Sequence, residues 1–97
     1  MSSIEFTLYV AGSGARAKNS LEQVQRMCQE QLGGRARLCV VDLLSEPELA
    51  RQSGVFLAPT LVKESPGPSQ RVFGDLRDGT EVLWALGVEA DAAGQAV

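Results

Sequence analysis

The residue types that most often carry chemistry are few in this chain, and their spacing does not suit catalysis. The 97 residues include no histidine, so the commonest general base and metal ligand is missing. The two cysteines, Cys28 and Cys39, form neither a zinc site nor a C-x-x-C redox pair. Asp42 has no catalytic partner nearby in the sequence, and Gly12-Ser13-Gly14 lacks the spacing of a phosphate-binding P-loop. These features favour a binding module without metal or cofactor over an enzyme.

Composition and charge limit the class of partner. The hydrophobic fraction is 44% and the charged fraction 22%, which is typical of one folded domain of this length. The net charge of -3 argues against a dedicated nucleic-acid binder. We find neither a signal-peptide pattern nor a long apolar run, so we expect a soluble cytoplasmic protein without a membrane partner, its thiols reduced.

The elements that position these residues are predicted from apolar spacing. Residues 6–11 are typical of a strand, and apolar residues at helical spacing between 21 and 32 predict an amphipathic helix. A continuous apolar run at 38–41 indicates a strand covered on both faces, so we expect both cysteines to be buried. Ser45 is expected to cap a short helix that ends at Gly54.

The second half of the chain predicts a hairpin and a helix. Residues 58–62 and 70–73 are strand-like and flank a loop rich in proline and glycine. Asp78 begins a capping sequence for a last helix, and Gly87 is placed to end it. Trp84 in that helix can be packed or half exposed, and the sequence leaves both open. We therefore divide the chain into a domain at 1–88 and a flexible tail at 89–97.

The order strand, helix, strand, helix, hairpin, helix is that of the thioredoxin-like fold, an α/β arrangement written βαβαββα. In that fold a proline, usually cis, precedes the third strand beside the end of the first helix, and Pro59 stands there. The position of the thioredoxin active-site cysteines, just after the first strand, is occupied by residues 12–17, which contain none. We therefore expect a redox-inactive member of this fold class, although a thiol oxidoreductase remains the alternative from another functional class.

Five sequence blocks, in order and at fixed spacing, resemble the KaiB proteins of the bacterial circadian clock. The resemblance runs from about residue 6 to about residue 88. The blocks are Leu8-Tyr9-Val10-Ala11-Gly12, Val41-Asp42-Leu43-Leu44, Pro47-x-Leu49-Ala50, Ala58-Pro59-Thr60-Leu61-Val62-Lys63 and Gly74-Asp75-Leu76.

The resemblance implies a regulatory protein that is not an enzyme. KaiB proteins bind the N-terminal ATPase ring of the hexameric kinase KaiC and modulate its phosphorylation cycle. They also hold KaiA where it exists and compete with the sensor domain of the kinase SasA. By position in the family pattern, the partner-binding residues are Arg35, Arg37, Cys39, Asp42, Leu43 and Leu44.

The chain also departs from the family pattern. The usual Asn-Thr-Pro-Asn loop is Ser13-Gly14-Ala15-Arg16, a common lysine is Cys39, another is Gly54, and the acidic tail is missing. The arginines can also form a plain solvated surface. Two further alternatives are an interaction domain similar to that of SasA and a stress-response regulator outside a full clock.

The family is metamorphic, so the resemblance implies two possible folds. One is a thioredoxin-like monomer, and the other is a ground state, a dimer or tetramer, that differs from about Pro59 onward. Ala85 replaces a common glycine in the last helix, and Gly87 replaces a common aspartate near its end. Both changes favour the helix. We therefore predict the monomeric βαβαββα form, with Pro59, Ala85 and Gly87 as its fold-determining residues.

Overall fold

The structure is a computed structural model that describes residues 4–89. Its elements follow the predicted βαβαββα order. They are β1 (Ile4–Val10), α1 (Ala15–Leu32), β2 (Ala36–Asp42), α2 (Pro47–Ser53), β3 (Thr60–Ser65), β4 (Gln70–Phe73) and α3 (Gly79–Ala85). The thioredoxin-like form is confirmed, since Gln70–Phe73 is a strand and Gly79–Ala85 is a helix.

The four strands form one mixed sheet in the order β2-β1-β3-β4. β1 lies in the middle, parallel to β2 and antiparallel to β3, and β4 pairs with β3 as a hairpin. The parallel pair requires a crossover connection, which α1 provides. This order leaves β2 at one edge of the sheet and β4 at the other.

Two apolar clusters hold helices on opposite faces of the sheet. The larger one joins β1 and β3 to α1 and α3 and includes Phe6, Leu8 and Leu83, all almost fully buried. The smaller one consists of Tyr9, Val55 and Val62 and lies on the other face. Because α2 has only seven residues, it is about 10 Å long and covers a small part of that second face.

The predicted end signals of α3 are confirmed. The Asp78 carboxylate accepts a hydrogen bond from the Glu81 backbone N–H and so caps the helix. Gly87 takes a positive φ of 71°. Its N–H donates to the Trp84 carbonyl at 3.1 Å, and the Val88 N–H donates to the Leu83 carbonyl at 2.9 Å. This pair of bonds is the Schellman motif, which favours glycine at this position.

The peptide bond before Pro59 is cis, as the fold resemblance implied. Pro59 and Arg16 line the same cavity, so the proline lies beside the N-terminal end of α1. The helix itself begins at Ala15, earlier than its apolar stripe indicated, and its N-cap residue Gly14 makes no side-chain capping bond.

Two sequence-based expectations about β2 were wrong. β2 is an edge strand, not a strand covered on both faces, and Cys39 is exposed rather than buried. Val40 is also exposed, to 44%. Cys39 lies on the face of the sheet that carries α2, and α2 is too short to cover the outer strand, whereas Val40 lies on the opposite face, which carries α1. Cys28 is buried as predicted.

The start of α2 also differs from the prediction. Ser45 does not cap the helix, because its hydroxyl donates instead to the Asp42 carboxylate at 3.0 Å. The N-cap residue is Glu46, which makes no side-chain capping bond. Within the helix, Leu49 is 41% exposed, whereas Ala50 is buried.

The last helix leaves Trp84 on the surface with 83% of its area exposed, so it is neither packed nor half exposed, and both alternatives were wrong. Most of the predicted flexible tail at 89–97 lies outside the described residues, so the domain boundary stays a prediction. No helix within residues 4–89 has the length and apolarity needed to cross a membrane.

Candidate functional site

The outer edge of β2 is the most distinctive surface of the sheet. In the described part of the chain, β2 pairs with β1 only, so one side of the strand has no partner strand. An unpartnered edge offers a row of backbone N–H and C=O groups to another protein. Arg37 and Cys39 are exposed on this strand, and Arg35 precedes it, also exposed. The edge therefore combines backbone hydrogen-bonding groups with positive charge.

Asp42 organises the turn that follows β2. Its Oδ1 accepts hydrogen bonds from the backbone N–H groups of Gly12 at 2.8 Å and Leu44 at 2.9 Å. The Ser45 hydroxyl donates to Oδ2. These bonds, first those from Gly12 and Leu44, lower the pKa of the Asp42 carboxyl. The side chain thereby ties the loop after β1 to the turn after β2.

The two leucines of this turn have different environments. Leu43 is half-buried and packs against the cluster of Tyr9, Val55 and Val62. Leu44 is 72% exposed. Its Cδ1 atom lies 3.6 Å from the position that a Cβ on Gly12 would occupy, so it rests against the neighbouring loop. The apolar Leu44 side chain is therefore exposed to solvent, while the hydrogen bonds of Asp42 hold its turn in place.

The six sequence-predicted site residues therefore separate into two groups. Arg35, Arg37, Cys39 and Leu44 lie on the surface, where a partner can touch them. Asp42 and Leu43 support the turn from beneath, through hydrogen bonds and packing respectively. All six lie on one continuous segment at one edge of the sheet, so the structure brings them together.

A groove between α1 and β2 adjoins this edge, and sequence reasoning missed it. Its volume is about 490 Å³. Its walls combine apolar groups with glutamine amides, namely Leu21, Cys28, Leu38 and Val40 with Gln25 and Gln29. The sequence signal for it is the pair Gln25 and Gln29, which lie four residues apart beside the apolar stripe of α1. An apolar floor with a polar rim is typical of a protein-binding surface.

The two cysteines are free thiols in different environments. Burial raises the pKa of the Cys28 thiol, which disfavours the thiolate. Cys39 is exposed on the edge strand, and both thiols are free. Among residues 4–89, no cluster of three or more histidine, cysteine, aspartate or glutamate side chains can hold a metal ion.

Comparison of the sequence with models of protein families identifies the family of this chain. A family model described as the KaiB domain matches residues 7–88. The chain belongs to the KaiB family. The circadian clock protein KaiB3 of Synechocystis sp. is 33% identical over 88 residues, which cover 91% of this chain and 86% of that protein. The circadian clock oscillator protein KaiB of Microcystis aeruginosa is 35% identical over 79 residues, covering 81% and 76%.

Solved structures show the fold. The N-terminal domain of Synechococcus elongatus SasA superposes with a TM-score of 0.74 at 21% identity, covering 90% of this chain and 86% of that domain. Mitochondrial thioredoxin 3 of Saccharomyces cerevisiae gives a TM-score of 0.67 at 16% identity, covering 90% and 79%. The KaiB-family chain thus has the thioredoxin-like fold that the sequence predicted.

Proposed function

We propose that this chain is a non-enzymatic clock regulator that binds the N-terminal ATPase ring of a KaiC-type kinase and modulates its phosphorylation cycle. The observation that carries the proposal is the unpartnered β2 edge of a KaiB-family domain, with Arg35 and Arg37 beside it and Leu44 at its end. This surface consists of the segment 35–44 and the adjoining α1 groove, and we name it the β2 surface.

The β2 surface has the chemical layout of a protein interface. Val40 and Leu44 supply exposed apolar area, which a partner removes from water on docking. Arg35 and Arg37 on the same segment add positive charge, although the whole chain is negative. Such charges mainly accelerate association with an acidic partner surface and select against wrong partners. We therefore expect the docking site on the ring to be acidic around an apolar centre.

Asp42 and Leu43 contribute to binding indirectly. The hydrogen bonds of Asp42 hold the Leu44 turn against the Gly12 loop, and Leu43 anchors the same turn in the smaller apolar cluster. A turn that is ordered before binding loses less entropy on docking. We infer that these two residues position Leu44 rather than contact the ring themselves.

The proposal extends to the other partners that the family implies. Occupation of the ring by this chain excludes a SasA-type kinase from the same site, and the bound chain holds KaiA where a cell has it. The chain acts as a monomer in the thioredoxin-like form. In a host without a complete clock, the same surface serves a KaiC-type ATPase in another regulatory response.

A pull-down against the KaiC-type ATPases of the host tests the proposal. Arg37→Glu reverses a charge on the β2 surface and is expected to slow association about tenfold at low salt without altering folding. Arg77→Glu is the matched control, because it makes the same charge change beyond the opposite sheet edge. Its ion pair with Asp75 is exposed and contributes little to stability.

Two results would contradict the proposal. If no KaiC-type ATPase of the host is retained, the partner is wrong. If Arg37→Glu binds normally while Arg77→Glu does not, the surface is wrong even though the partner is right.

A further inference from the structure

A second site lies at the C-terminal end of the central strand β1, and none of its lining residues belongs to the β2 surface. A cavity of about 160 Å³ opens between the end of β1, the first turns of α1 and the cis proline before β3. Five of its seven lining residues are apolar, and the two polar ones lie one helical turn apart on α1. The lining residues are Val10, Ala11, Arg16, Ala17, Ser20, Ala58 and Pro59.

The N-terminus of α1 supplies positive electrostatic potential to this cavity. The helix has 18 residues, its N-cap Gly14 offers no side chain, and its first turn contains no acidic residue. Its first backbone N–H groups therefore lack a capping side chain, and no carboxylate offsets the positive end of the helix dipole. Arg16 adds a guanidinium at the cavity wall. Helix ends of this kind bind anions.

Ser20 provides an independent indication of a ligand. The residue is 94% buried, and the structure gives its hydroxyl no hydrogen-bond partner among the described residues. In that part of the chain, every fully enclosed side-chain nitrogen or oxygen has a partner. The Ser20 hydroxyl must therefore face open space, and the cavity is the space that Ser20 lines. The hydroxyl is therefore free to bond to a group that enters the cavity.

We propose that this cavity binds a carboxylate carried on a short aliphatic chain. The fork of the Arg16 guanidinium matches the two oxygens of a carboxylate, and the Ser20 hydroxyl supplies a further hydrogen bond. The apolar walls, formed by Val10, Ala17 and Pro59 among others, contact the alkyl part of the ligand. Phosphate suits the site less well, because its additional oxygens would face apolar walls without donors.

The carboxylate can come from a free short-chain acid or from an acidic side chain of a peptide. Two probes distinguish these sources. Sodium butyrate represents the free acid, and N-acetylglutamate N-methylamide presents a carboxylate as a protein side chain does. Either probe binding at the cavity supports the proposal, and the one that binds more tightly identifies the source.

The experiment is a titration of the full chain followed by its backbone amide NMR signals, with sodium chloride as the ionic-strength control. We expect saturable shifts confined to residues 11–20 and 58–60, and none with butyramide, the neutral analogue. Arg16→Gln should weaken binding roughly tenfold, and Ser20→Ala several-fold, as expected for the loss of a charge-assisted hydrogen bond. Lys18→Gln is the matched control, since Lys18 is an exposed cation of the same helical turn that does not line the cavity.

Ser20→Ala is a suitable variant because it removes a hydroxyl that has no protein partner, so it should fold as the wild type does. The proposal is overturned if butyramide binds as well as butyrate, or if phosphate binds more tightly than butyrate. It is also overturned if Lys18→Gln weakens binding as much as Arg16→Gln, or if no probe shifts these amides. None of these outcomes bears on the β2 surface, so this site and the proposed function are tested separately.

Discussion

The end of α3 offers a direct test of why this chain adopts the thioredoxin-like form. Ala85→Gly and Gly87→Asp together restore the residues that are common in the family at these positions. Ala85 lies in the last turn of α3, and Gly87 closes the Schellman motif with a φ of 71°. The double variant should therefore weaken α3 without touching the buried core.

The size of the destabilisation follows from helix propensity at position 85 and from the backbone conformation and charge at position 87. Replacing Ala85 with glycine costs the helix about 1 kcal/mol, since glycine loses more backbone freedom on folding. Aspartate at 87 must adopt a left-handed conformation and places negative charge at the negative end of the helix dipole, which costs about 1 kcal/mol more. A total of about 2 kcal/mol corresponds to a population change of roughly 30-fold. Two folds of one sequence differ by only a few kcal/mol, so this change should populate the second form.

Two measurements follow the double variant. Urea unfolding reports its stability, and size-exclusion chromatography with light scattering reports its oligomeric state. We expect a lower urea midpoint and a concentration-dependent dimer or tetramer that the wild type lacks. Ala15→Gly is the control, because α1 precedes the segment in which the two family folds differ and so affects both forms alike.

The two measurements test separately the stability of the helix end and the choice between the two folds. An unchanged urea midpoint would refute the account of the helix end. A lower midpoint with only monomer at every concentration would refute the idea that positions 85 and 87 select the fold.

Further predictions concern the thiols and the turn after β2. Iodoacetamide should modify the exposed Cys39 much faster than Cys28, whose pKa is raised by burial, and equal rates would contradict the burial of Cys28. The chain should not reduce insulin, because no cysteine stands at the start of α1, and clear turnover would revive the oxidoreductase alternative. Hydrogen bonds lower the pKa of Asp42 in the folded state, so its contribution to stability is present above about pH 4 and is lost as pH falls further. The difference in Tm between the wild type and Asp42→Ala should therefore be largest near neutral pH and shrink in acid, and a difference independent of pH would refute this role.

Local signals made most of the fold predictable from the sequence. Gly54 directly follows α2, and Gly87 follows Leu86, the C-cap residue of α3. Both glycines have the positive φ that such a helix end requires. Asp78 was identified as a cap because its side chain bonds within its own turn. The start of α1 was missed because Gly14 offers no capping side chain and the first turn, in which alanine alternates with arginine and lysine, has no large apolar residue. Helix ends depend on residues that are close in the sequence, so sequence patterns reveal them only where a capping residue is present.

The features that sequence reasoning missed depend on distant residues. The Gly12 N–H bonds to Asp42 across 30 positions, which no local pattern reveals. The same carboxylate accepts the Ser45 hydroxyl, which therefore does not cap α2. The exposure of Cys39 follows from the shortness of α2 and from strand order, which apolar periodicity cannot reveal. For the candidate site, the family resemblance supplied the segment 35–44, and only the fold separates the exposed arginines from the supporting Asp42.

Hydrogen–deuterium exchange of the chain, free and bound to the N-terminal ring of a KaiC-type ATPase, tests the central claim most directly. If the β2 surface docks on the ring, the amides of 36–44 become protected on binding, while those of β4 at the opposite edge exchange as before. Protection confined to β4, with β2 unchanged, would contradict the proposed interface.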